Sequence, residues 1–135
     1  MPKTGPRILL LGGDADYNVG DRAIVSALSQ CIVSHDPSAE VSIVASQGAG
    51  PPIRGVARMI PRGTAGVAGL CRAAAAADRV LIAGGGLFQD DDSRAKMPYW
   101  AARISLLKSL NPSIAGHSIG AGPLRHVESR AAAGI

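Results

Sequence analysis

Aromatic residues are scarce in this chain: one Phe, one Trp and two Tyr in 135 residues. Packing therefore has to rest on Val, Ile, Leu and many alanines. Cysteine is nearly absent as well. Cys31 and Cys71 fall inside predicted helices, where they read as small core residues and not as a disulfide. No apolar run approaches the ~20 residues of a membrane span. Ile8–Leu11, after M-P-K-T-G-P-R, is also too short for a signal-peptide core, so a cytoplasmic protein without a membrane span is expected. The net charge of +4 comes from basic residues scattered singly between Lys3 and Arg130. Without a Lys/Arg block or interleaved aromatics, no nucleic-acid partner is expected. What remains, 47% apolar and 18% charged residues, is the composition of one ordinary globular domain.

The most informative stretch is Arg79–Asp92, R-V-L-I-A-G-G-G-L-F-Q-D-D-D. Val80–Ala83 reads as a strand buried on both faces. Gly84, Gly85 and Gly86 then remove every Cβ where the loop leaves the strand, so backbone amides can approach a ligand closely. Gln89 and three aspartates follow at once. In a parallel sheet the carboxyl ends of strands are where ligands sit.

Around this stretch the chain alternates. Arg7–Leu11 is a first strand ended by Gly12–Gly13. A loop, D-A-D-Y-N-V-G-D, leads into a helix over Arg22–Ser34, with Asp21 at its N-terminus as a cap favoured by the helix dipole. Glu40–Ala45 and Val56–Ile60 are the next strands, with S-Q-G-A-G-P-P a loop after the first of them. Thr64–Ala77 follows as a helix capped by Thr64. After the central strand comes a helix over Met97–Leu110, with Pro98 in its first turn and Trp100, Ile104 and Leu107 on one face. Ser113–Ile119 is the last strand, and Arg125–Ile135 a polar tail. The pattern predicts an α/β fold: a doubly wound, Rossmann-like parallel sheet of about five strands in the order 3-2-1-4-5. That order sets strand one beside strand four, so Gly12–Asp21 and Gly84–Asp92 open onto one crevice. Gly120–Leu124 lies one strand further along.

Two common nucleotide sites are excluded by spacing. The loop G-G-D-A-D-Y-N-V-G lacks G-x-G-x-x-G, and V-A-S-Q after strand two lacks the acid that holds a ribose. Gly20 is followed by Asp21 where a phosphate loop needs lysine. Asp14-x-Asp16 and Asp90–Asp92 have the oxygen chemistry of a divalent-metal site, but acids after a glycine turn are more commonly solvated loop and cap residues. Gln89 reads first as a tie for its own loop. His35 reads as a surface residue at a helix end, His126 carries no readable context, and His117 is expected as a packed strand residue. Tyr99 and Trp100 read first as helix packing and second as a sugar-stacking platform.

Three stretches in order then carry a likeness. They are Tyr17-Asn18-Val19-Gly20-Asp21 with Ala23-Ile24 after it; Gly84-Gly85-Gly86-Leu87-Phe88-Gln89-Asp90; and Gly116–Leu124, G-H-S-I-G-A-G-P-L. Together they resemble the polysaccharide pyruvyl transferase family, from about Ile8 to Leu124. Arg22 stands where the family usually has an acid, and His117 where glutamine or glycine is common. Family members look like two stacked Rossmann-like domains with the active site between them, and the likeness covers the N-terminal one. A second Rossmann-like domain or a homodimer is therefore implied, the basic residues that grip phosphoenolpyruvate lying largely in that other half. The resemblance implies transfer of a pyruvyl group from phosphoenolpyruvate to two hydroxyls of a sugar or glycan acceptor, with no further cofactor, in cell-surface polysaccharide biosynthesis. It points to Asp21 and Asp90 as catalytic candidates. Tyr17, Asn18, Gly20, Gly84, Gly85, Gly86, Gln89, His117 and Gly120 are then substrate contacts. A sugar-nucleotide glycosyltransferase half-domain and a non-catalytic ligand- or partner-binding domain are the alternatives.

Overall fold

The computed structural model describes residues 5–12, 18–45 and 52–135. Five parallel strands form one sheet: β1 (Arg7–Leu11), β2 (Glu40–Val44), β3 (Arg58–Ile60), β4 (Arg79–Ala83) and β5 (Ile114–His117). Their order, β3-β2-β1-β4-β5, is the expected one. Leu10 on β1 aligns with Ile43 on one side and Leu81 on the other. Each central strand is therefore apolar on both faces and has to be covered on both.

Helix α1 (Val19–His35) covers one face. Val25 packs there with Leu10, Val41 and Ile43, joined by Leu28 and Ile32. Helices α2 (Val67–Ala76) and α3 (Lys96–Leu110) cover the other. Leu70 and Ala74 of α2 and Leu107 of α3 meet Leu9, Leu11, Val44 and Val80. Each large aliphatic side chain enclosed this way contributes about 1.5–3 kcal/mol. Asn111, buried at the end of α3, joins three elements. Its amide donates to the carbonyls of Ala74 and Ala77 at 2.9 and 2.7 Å, and its oxygen accepts the Ser113 amide at 2.8 Å.

Several local expectations are corrected. α1 begins one turn before Arg22, and its cap is Asn18, not Asp21: the Asn18 side chain accepts from the amides of Gly20 and Asp21 at 2.9 and 3.1 Å. Asp21 sits inside the first turn, where its charge still favours the helix. Thr64 is no side-chain cap either, because a short 3-10 turn (Thr64–Gly66) precedes α2. β3 and β5 are shorter than expected. The tail holds a fourth helix, α4 (Val127–Ala133), which packs on α3. Cys31 is exposed and Cys71 half-buried; both are free thiols. Among the described residues, no helix is long and apolar enough to cross a membrane.

Candidate functional site

At the carboxyl ends of the strands lies a cavity of about 800 Å³. Gly12 and Val44 mark the ends of β1 and β2 on its floor, and Gly86 enters from the loop after β4. Asn18 and Asp21 of α1 line one wall, with Gln89 opposite in the β4 loop. The described ends of the first glycine-rich stretch, Gly12 and Asn18–Asp21, thus meet the β4 loop at one cavity, as the strand order requires. They also touch: the Gly85 amide donates to Asp21 Oδ1 at 3.3 Å. Asp21 is therefore held by a residue 64 positions away and lines the cavity.

The β4 loop is fixed from its far side by the loop after β5. The Gly120 amide donates to the Gly85 carbonyl at 2.7 Å, Phe88 pairs with Ala121, and the Gly122 amide donates to the Phe88 carbonyl at 3.0 Å. Glycine is required here twice. Gly84 has φ +150°, and a Cβ on Gly120 would stand 3.1 Å from the Gly85 oxygen. Gln89 packs against Gly86 and Gly122, so it ties down its own loop and lines the cavity as well. Gly120 belongs to this fastening and not to the cavity lining.

Asp90 has a different fate from Asp21. It is fully enclosed. Its two oxygens accept the amides of Arg125 and His126 at 2.9 and 2.7 Å, the approach to α4, where His126 is the cap residue. Burial pushes the carboxyl up, but the two amide bonds, helped by the Ser129 hydroxyl and the nearby His126 imidazole, outweigh it and hold the group down at about 2, from an ordinary 3.8. The structure thus places this candidate as a clamp that fixes the end of the β4 loop to the approach to α4. His117, expected to be packed, is exposed on β5 and does not line the cavity. Gly20, Gly84 and Gly85 support the rim without lining it. Tyr17, Asp14 and Asp16 lie outside the described residues. Among the described residues, no three His, Cys, Asp or Glu side chains gather where they could hold a metal ion.

Sequence reasoning missed the cavity's cations. Arg62 follows β3, and Lys96 and Arg103 rise from α3, with Tyr99 and Trp100 between them. The spacing 96, 99/100, 103 is one stripe of a helix, so the first two turns of α3 turn toward the cavity before Ile104 and Leu107 turn into the core. Trp100 is buried with Ile82 and Leu87, as expected of helix packing. Tyr99 is half exposed and meets Trp100 edge to face, with centroids 5.7 Å apart. Lys96 pairs with Asp92 at 2.9 Å, which with the Ser93 amide holds the Asp92 carboxyl below its ordinary value. Arg103 instead stacks over Tyr99 and Trp100, 5.5 and 5.9 Å from their centroids, and donates to the Tyr99 hydroxyl.

Compared with protein-family models, with curated proteins and with solved structures, the chain gives no match. The fold is Rossmann-like, and the cavity must be interpreted from its own chemistry.

Proposed function

We propose that this chain is the acceptor-side half of a pyruvyl transferase similar to the polysaccharide pyruvyl transferases, working with a second Rossmann-like domain or a second copy across the cavity. One observation carries the reading: the N-V-G-D and G-G-G-L-F-Q stretches, 64 residues apart, meet through the 3.3 Å bond from Gly85 to Asp21 and line one cavity. These are the stretches in which the family likeness resides.

In this reading the enol methylene of phosphoenolpyruvate takes up a proton and leaves a cation-like carbon. A sugar hydroxyl attacks that carbon and loses its proton to Asp21, the carboxylate that faces the cavity. Phosphate departs as the C–O bond breaks, and a second hydroxyl closes the ketal, giving its proton to the departing phosphate. Asn18 and Gln89 orient the sugar by hydrogen bonds, and the Tyr99 ring offers it an apolar wall. The Gly85 amide holds Asp21 at the cavity wall.

The test is turnover. With phosphoenolpyruvate and a glycan acceptor, the complete assembly is expected to release phosphate and form an acid-labile ketal, and Asp21→Asn to slow this by about 10²–10⁴-fold. Transfer from a nucleotide sugar in place of phosphoenolpyruvate would replace this reading with glycosyl transfer. No turnover with either donor would leave a binding domain.

A further inference from the structure

The cations of α3 have no part in the proton transfer assigned to Asp21, and their settings differ in a useful way. Lys96 is already matched by Asp92. Arg103 is not matched: its contacts are two aromatic rings and a phenol hydroxyl, and no carboxylate pairs with it among the described residues. Its Nε is buried without a hydrogen-bond partner, although a buried charged donor normally finds one. The rings fix the guanidinium plane, so little further order is lost when an anion arrives. Arg62 adds a further positive charge to the lining of the same cavity.

We infer that the cavity holds an anionic sugar, one bearing a phosphate or carboxylate group, with that group on Arg103 and its hydroxyls toward Asn18, Asp21 and Gln89. This rests on the acceptor-side reading above and adds the acceptor's charge to it. A guanidinium held flat by stacked rings suits the planar or forked oxygens of such a group, and a charge-assisted pair is about twice as strong as a neutral one. Asp92 then acts as an internal competitor, drawing Lys96 away from the ligand.

Calorimetric titration of the chain with glucose 1-phosphate, glucuronate, glucose and phosphoenolpyruvate tests this. One of the two anionic sugars is expected to bind at least about tenfold more tightly than glucose. Arg103→Gln should erase that preference while leaving glucose binding in place. Asp92→Asn, an exposed change that leaves the core untouched, should strengthen anionic-sugar binding about two- to fivefold. Equal affinity for charged and neutral sugars, a preference that survives Arg103→Gln, or no gain in Asp92→Asn would overturn the inference. Arg103-dependent binding of phosphoenolpyruvate alone would assign the anion to the donor and overturn it too. The enzyme reading has its own readout: an Arg103-dependent preference without ketal formation keeps the subsite and removes the transferase. Ketal formation on neutral sugars without any preference does the reverse.

Discussion

Two aspartates follow two glycine-rich loops at the same edge of the sheet, and the structure uses them in opposite ways. Asp21 lines a cavity of about 800 Å³ and accepts the Gly85 amide at 3.3 Å. Asp90 is sealed, with both oxygens taken by amides at 2.9 and 2.7 Å. The difference lies in what reaches each one. A helix entry, Arg125–His126, arrives at Asp90 and supplies two donors in the dry. At Asp21 the amides of the first helix turn are served by Asn18, and the carboxylate takes the Gly85 amide at the cavity wall. A carboxylate's role is thus set by the supply of backbone donors around it, and not by its place after a glycine turn.

The comparison is broken most forcefully at Asp90. Asp90→Ala removes a buried side chain and leaves the part-buried Arg125 and His126 amides without their acceptor, and should lower Tm by on the order of 10 °C. Hydrogen exchange should report lost protection at Arg125 and His126. The same bond has a pH signature. A carboxyl held at about 2, below the 3.8 it has when free, stabilises the fold fully above the unfolded value and loses that contribution as pH falls toward 2. Acid unfolding curves should therefore slope between about pH 4 and 2, and Asp90→Asn should flatten that slope.

A smaller effect is expected where the two loops are zipped together. Gly120→Ala puts a Cβ 3.1 Å from the Gly85 oxygen, and overpacking of this kind costs about 1–3 kcal/mol. Because Gly85 also holds Asp21, ligand affinity should fall along with Tm. Smaller again is Asn18→Ala. Loss of a helix cap costs about 1 kcal/mol, and chemical denaturation should show it as a lower midpoint at unchanged m-value.

Much of this frame was legible in the sequence. The apolar runs Arg7–Leu11 and Val80–Ala83, each closed by glycine, could only be interior strands, and their order followed from alternation and handedness. The shared crevice followed from that order. What escaped was specified at a distance or by weak local signals. V-E-S-R-A-A-A has no apolar stripe of helical period, and the carboxylate that anchors α4 lies 35 residues upstream of Arg125. Asn18 is hard to read as a cap because Val19 and Gly20 are poor helix formers, which makes the first turn of α1 resemble loop. The cations of α3 were readable in principle, since Lys96, Tyr99 and Arg103 repeat at helical spacing. They were hidden behind the stronger apolar face of Trp100, Ile104 and Leu107, which begins on the same turn. His117 looked like a packed residue because it sits in a strand, but β5 is an edge strand exposed at its last three residues.

The most direct test of the account is thermal unfolding of Asp21→Asn and Asp90→Asn side by side under one set of conditions. The account predicts that Asp21→Asn melts within about 2 °C of the unaltered chain, since the side chain lines the cavity and its bond from the Gly85 amide is long, at 3.3 Å. Asp90→Asn should melt several degrees lower. Equal losses, or the larger loss at Asp21, would contradict the division of the two carboxylates into an open site residue and a sealed clamp.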